Sequence, residues 1–214
     1  MQNSLKITEI FYSLQGETNT VGLPTVFVRL TGCPLRCSYC DTAYAFTGGE
    51  KMSLSEIMQR VGQYNPKYVT VTGGEPLAQI ACHELLKNLA DKGYVVSLET
   101  SGAIDISQVD SRVVKVMDLK TPSSGEIEKN RYQNIENLTQ TDQVKFVVAD
   151  SIDYEWSKAQ CVEYNLADRC EVLFSPVMGE MNPRELAEKI IQDNLPVRFQ
   201  IQLHKYLWND AQGK

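Results

Sequence analysis

Short runs of β-branched and aromatic residues recur along the chain. Between them lie segments whose apolar residues fall three and four apart. The runs Thr25–Leu30, Tyr68–Thr72, Val95–Glu99, Val113–Asp118, Gln143–Val148, Glu171–Phe174 and Val197–Gln202 are rich in Val, Ile, Phe and Thr, and predict strands. Ser53 followed by Glu56 reads as a capping box and predicts a helix from Leu54 to about Gly62. Leu85, Leu86 and Leu89 share one face of a second helix, which Gly93 ends. Asn182 before Pro183 pairs an N-cap with a first-turn proline, for a helix through Gln192. A further helix is expected near Tyr154–Tyr164. The alternation implies parallel strands joined by right-handed crossovers, in an open doubly wound sheet or an open, shortened (β/α) barrel. A full eight-unit barrel usually takes about 250 residues, and this chain has 214. One α/β domain over residues 1–214 is expected, without internal repeats or linkers.

Composition changes this picture little. The net charge of -6, with no basic run, gives no electrostatic footprint for nucleic acid. No stretch approaches the roughly 18 apolar residues of a membrane span. Met1–Ile10 holds Gln2, Asn3, Ser4 and Lys6 and has no apolar core for a signal peptide. The expected location is the cytoplasm, where disulfides are disfavoured. Of six cysteines, three are clustered, which points to metal or redox chemistry. Cys82, Cys161 and Cys170 are irregularly placed and read as core thiols.

Unusual residues follow the strands. They are Cys33–Cys40, Gly73-Gly74-Glu75-Pro76, Thr100-Ser101-Gly102, Lys120–Gly125, Ser175–Gly179 and His204-Lys205-Tyr206. In parallel α/β folds such loops gather at one rim, where active sites lie.

The cysteines read Gly32-Cys33-Pro34-Leu35-Arg36-Cys37-Ser38-Tyr39-Cys40-Asp41-Thr42, a C-x3-C-x2-C spacing. Three thiolates on one loop can converge on one iron–sulfur cluster. A [4Fe–4S] cluster normally takes four cysteines. With three, one iron stays open, as a catalytic metal site requires. Zinc would want a fourth ligand, and only His83 and His204 offer nitrogen. A ferredoxin-like carrier would want a fourth cysteine.

With Tyr39 before the last cysteine and the Gly73-Gly74-Glu75-Pro76 stretch after a strand, the chain resembles the radical SAM superfamily. Ile10–Glu17, Phe27-Val28-Arg29-Leu30, Cys40-Asp41-Thr42, Met117–Gly125 and Gln202–Tyr206 resemble the 7-carboxy-7-deazaguanine synthase family of the queuosine and 7-deazapurine pathway. The likeness spans essentially the whole chain. Thr18 departs from it, since the family often has Gly there. The resemblance implies a shortened, modified (β/α) barrel of the radical SAM type. It implies conversion of 6-carboxy-5,6,7,8-tetrahydropterin to 7-carboxy-7-deazaguanine with loss of ammonia. It also implies a [4Fe–4S] cluster, S-adenosyl-L-methionine and Mg2+, a homodimer, and flavodoxin or ferredoxin as electron donor.

On that resemblance Cys33, Cys37 and Cys40 ligate the cluster. Tyr39, Cys40 and Asp41 line the adenine side, while Gly74 and Glu75 meet the methionine ammonium. Ser101, Asp118, Leu119, Lys120, Ser175, Pro176, Val177 and Met178 contact the rest of the cofactor. Leu14, Gln15, Gly16, Glu17, Arg29 and Thr72 bind the pterin, and Thr42 ligates Mg2+. Read alone, Arg29 is a strand arginine that needs a partner, either a substrate carboxylate or a salt bridge within the fold. Thr42 alone would be a helix N-cap. Two other readings share some of these features: a small glycyl-radical activase, and a non-catalytic iron–sulfur carrier.

Overall fold

The computed structural model describes residues 4–209 and 211–214. All seven expected strands form and run parallel, in chain order. They are β2 (Pro24–Leu30), β4 (Tyr68–Gly73), β5 (Val95–Thr100), β6 (Val114–Asp118), β7 (Gln143–Val148), β8 (Glu171–Pro176) and β9 (Arg198–Phe199). The last is shorter than expected. Gln200 N–H still bonds Phe174 O, but the chain then turns away, and Leu203 N–H reaches Gly16 O at 2.9 Å.

Two further strands extend the sheet on the β2 side. β1 (Ser4–Leu14) pairs antiparallel with β2, and β3 (Glu50–Ser53) pairs antiparallel with β1. The order is β3-β1-β2-β4-β5-β6-β7-β8-β9, and the barrel is left open.

The expected helices form with their caps. In α1 (Leu54–Gln63) the Ser53–Glu56 box is reciprocal, and in α5 (Pro183–Gln192) Asn182 accepts from Arg184 N–H. α2 (Cys82–Asp91) ends before Gly93, whose φ of 85° needs no Cβ. α3 (Ser151–Glu163) starts a turn earlier than expected because Asp150 caps it through Asp153 N–H. α4 (Leu166–Arg169) and α6 (Leu203–Trp208) are short. The β5–β6 and β6–β7 crossovers hold no α-helix. The second is built from the 3-10 turns Pro122–Ser124, Ile127–Lys129 and Tyr132–Asn137.

Strand alternation sorts the two faces of the sheet. Val26, Val28, Leu30, Val69, Val71, Val96, Leu98, Val144 and Phe146 join Ile57, Val61, Leu85, Leu89 and Leu186 of the helices in one core. The intervening residues face the other way. Register places Arg29 beside Thr72 and Asp118 beside Lys145. The inner face is therefore polar toward its upper rim, and a cavity opens there.

Candidate active site

Cys33, Cys37 and Cys40 are free, half-buried thiols on the loop after β2, and all three line this cavity. The loop is tied to the β6–β7 crossover. Ser38 N–H bonds Ser124 O at 3.0 Å, Ser38 Oγ–H bonds Ser123 O at 2.6 Å, and Tyr39 Oη lies 3.2 Å from Thr121 Oγ1. The Arg36 guanidinium stacks 4.3 Å over the Phe46 ring. Burial pushes the Cys33 and Cys37 thiols up, so loading metal on them releases protons. Among the described residues no three His, Cys, Asp or Glu side chains converge where one ion would sit. His83 lies on α2 and His204 lies beside Asp41, so neither completes a zinc site.

Gly73 and Gly74 let the β4 loop press against the cysteine loop. Gly73 has a φ of 140°, and a Cβ on it would overlap the Leu30 backbone. A Cβ on Gly74 would overlap the Gly32 carbonyl and Cys33 Cβ. The Glu75 carboxylate lies behind the cavity wall, fully buried. Its Oε1 accepts from Leu77 N–H at 3.0 Å, and its Oε2 from Ser101 N–H at 2.7 Å. The Thr100 and Ser101 hydroxyls also donate to it. Donors within the protein thus occupy both oxygens of the Glu75 side chain.

Ser101, Asp118, Lys120, Val177, Tyr39, Asp41 and Thr42 line the cavity. Leu119, Ser175 and Pro176 are buried behind it, and Met178 points out at 56% exposure, so these four do not line it. Lys120 Nζ meets Asp118 Oδ2 at 2.6 Å. Burial opposes ionisation of Asp118, but Lys120 and Lys145 hold its carboxyl below the usual carboxylate range. Asp41 meets Lys205 Nζ at 3.2 Å. Thr42 sits at the N-cap position of the 3-10 turn Ala43–Phe46, yet its side chain makes no cap bond. The hydroxyl donates only to Asp41 Oδ1, at 3.1 Å.

Leu14, Gln15, Gly16, Glu17, Arg29 and Thr72 line the same cavity. Gln15 Nε2 donates to Thr70 Oγ1 and Glu99 Oε1, at 3.1 and 3.2 Å, and Thr72 Oγ1–H donates to Glu99 Oε2 at 2.9 Å. Lys145 Nζ donates to Glu17 Oε2 at 3.1 Å and lies 3.4 Å from Asp118 Oδ1. Glu17 Oε1 is buried without a partner. Arg29 Nε donates to Glu9 Oε1 at 2.7 Å, and the guanidinium lies against the Phe11 and Tyr44 rings. Tyr44 Oη–H donates to the same Glu9 oxygen, and burial pushes the phenol up to about 12.

The comparisons bear on this geometry directly. The radical SAM superfamily profile matches residues 27–115. The chain is 46% identical over 213 residues to the 7-carboxy-7-deazaguanine synthase of Chlorobaculum tepidum, covering 98% of this chain and 97% of that protein. It is 41% identical to the synthase of Methanospirillum hungatei, covering 96% and 86%. The chain belongs to the 7-carboxy-7-deazaguanine synthase family. In structure it is similar to the crystal structure of QueE from Escherichia coli, with a TM-score of 0.77 at 22% identity over 94% of this chain and 95% of that one. That likeness concerns the fold. Membership makes the chain a radical SAM enzyme, and the superfamily implies a [4Fe–4S] cluster and S-adenosylmethionine.

Within this synthase family site, Glu99, Lys145, Glu9 and Tyr44 are cavity or cavity-wall groups that sequence reasoning missed. Burial and the Glu17 charge push the Glu99 carboxyl up, against the pull of Lys145, Thr72 and Arg29. The signal for Lys145 was the one that marked Arg29, a charge flanked by apolar neighbours inside a predicted strand, whereas Glu99 ends its predicted strand before Thr100.

Proposed function

We propose that the chain converts 6-carboxy-5,6,7,8-tetrahydropterin to 7-carboxy-7-deazaguanine with loss of ammonia, supplying 7-deazapurine (queuosine) synthesis. The observation that carries this reading is a single cavity. Cys33, Cys37 and Cys40 line it together with Gln15, Glu17, Arg29 and Glu99. The three thiols fit a cluster with one open iron. When bound, the cluster and S-adenosylmethionine supply a 5′-deoxyadenosyl radical. Gly74, Ser101, Asp118 and Lys120 then hold the cofactor's polar groups.

The aminopyrimidinone ring presents N–H donors that suit the Glu17 carboxylate, whose Oε1 has no partner among the described residues. Arg29 spends Nε on Glu9 and keeps its terminal amino groups for the substrate carboxylate. Burial raises the Glu99 carboxyl, and its two oxygens accept from Gln15 and Thr72 beside the cavity. Thr42 Oγ1, which caps no turn, suits a Mg2+ ion that also takes substrate oxygens and water. A homodimer in the cytoplasm, reduced by flavodoxin or ferredoxin, completes the proposal. No described helix is long and apolar enough to cross a membrane.

The test is anaerobic reconstitution with dithionite, S-adenosylmethionine, Mg2+ and the carboxytetrahydropterin, with products followed by mass spectrometry. Formation of 7-carboxy-7-deazaguanine, abolished in Cys37→Ala, is the expected result. 5′-Deoxyadenosine without that product would move the substrate assignment elsewhere, an activase target included. Neither product, with a verified cluster, would favour a carrier.

A further inference from the structure

We propose that Lys145 is a positioning residue, which fixes Glu17 so that its unpartnered oxygen faces the ligand's exocyclic amino group. The inference rests on the pterin reading of the site. Lys145 sits on β7, and its side chain is only 9% exposed. Its partners come from two other elements: Glu17, on the loop after β1, and Asp118, at the end of β6. Glu99 on β5 also faces it, and Lys120 beyond Asp118 takes the other oxygen of that carboxylate.

The arrangement divides the Glu17 carboxylate between two tasks. Oε2 is fixed by Lys145 at 3.1 Å, and Oε1 is buried with nothing to accept from. A buried acceptor left unmade is costly, and Glu17 is among the residues that line the cavity. A ligand donor relieves that cost, and a ligand lacking the donor does not. Glu17 N–H is separately held by Gln15 Oε1 at 3.2 Å, so the backbone is fixed while the side chain relies on Lys145 for its direction. The ammonium thus acts on specificity through Glu17, whose Oε2 it holds.

Equilibrium binding to the reconstituted enzyme tests this, with 7-carboxy-7-deazaguanine compared with 7-carboxy-7-deazahypoxanthine, which lacks the amino group. Wild type is expected to prefer the amino ligand by about 10- to 100-fold, the range for a hydrogen bond to a charged group. In Lys145→Met the preference is expected to fall below roughly 3-fold, and in Glu17→Ala likewise. The double variant is expected to match Glu17→Ala, because Lys145 has nothing left to position. The double variant also removes one of the carboxylates that Lys145 compensates, which protects folding if Lys145→Met alone misfolds. A preference kept in Lys145→Met, or a preference in Glu17→Ala that the second substitution erodes further, would overturn the role of Lys145 and leave the proposed function standing. A wild type that binds neither ligand would overturn both.

Discussion

Replacing Glu75 by glutamine separates an anchoring role from a ligand-binding one. The carboxylate accepts from backbone N–H groups on both oxygens, Leu77 on one and Ser101 on the other. The Thr100 and Ser101 hydroxyls can turn to accept from an amide, but neither backbone group can. Whichever way the glutamine amide is flipped, its NH2 opposes one buried N–H. Leaving one such donor unmade costs about 1–3 kcal/mol. For a chain of this size that lowers Tm by roughly 2–12 °C, at about 2–4 °C per kcal/mol. Glu75→Ala, which strips both N–H groups and leaves a hole, is expected to cost about 2–6 kcal/mol. Thermal melts followed by circular dichroism, on protein with and without the cluster, read the effect. The loss is expected in both forms, since the donors belong to the protein. A Glu75→Gln protein melting within roughly 1 °C of wild type in both forms would refute the anchoring role.

Gly74→Ala is expected to push the cysteine loop off the β4 loop and lower the iron bound per chain, measured by iron and sulfide analysis; full occupancy would show that the loop yields easily. The raised Glu99 carboxyl binds its proton more tightly in the folded state, so that contribution is present below the ordinary value of 4.5 and is lost as pH rises through the folded value. Glu99→Gln should therefore gain melting temperature relative to wild type at pH 8 more than at pH 5 while turnover falls, and an equal or reversed difference would count against the shift. Thr18 holds a φ of 68°, which strains a β-branched residue by about 1–2 kcal/mol. Relief of that strain against a looser unfolded chain should leave Thr18→Gly within about 1 kcal/mol of wild type in urea melts, and a much larger loss would mean the backbone is unstrained.

The parallel strands were legible because each is a short β-branched run buried on its helix-facing side, from Val26 to Phe174. β1 was not, because Leu5 and Ile7 are its only fully buried residues and Lys6, Thr8, Glu9 and Tyr12 dilute the pattern. β3 has four residues and one buried side chain, Met52, which is too little for a periodicity to register. The cysteine loop could be placed at the rim because it follows a predicted strand, while Gln15–Glu17 and Arg29 were assigned to the site by the family resemblance. Glu75 could not be oriented from the sequence: a Gly-Gly-Glu-Pro turn says where the chain bends, and the donors that Thr100 and Ser101 bring across from β5 decide where the carboxylate goes. Thr18 is the reverse case. The departure from Gly noted in the sequence corresponds to a left-handed residue whose N–H and carbonyl are both taken by the Gln200 amide, at 2.7 Å each.

That amide clasp joins positions 182 residues apart. During synthesis the segment bearing Gln15 and Glu17 leaves the ribosome early, and Gln200 and Leu203 arrive after every other strand has been made. The part of the cavity lined by Gln15 and Glu17 thus takes its final shape last, while the cysteine loop emerges long before the wall beside it exists.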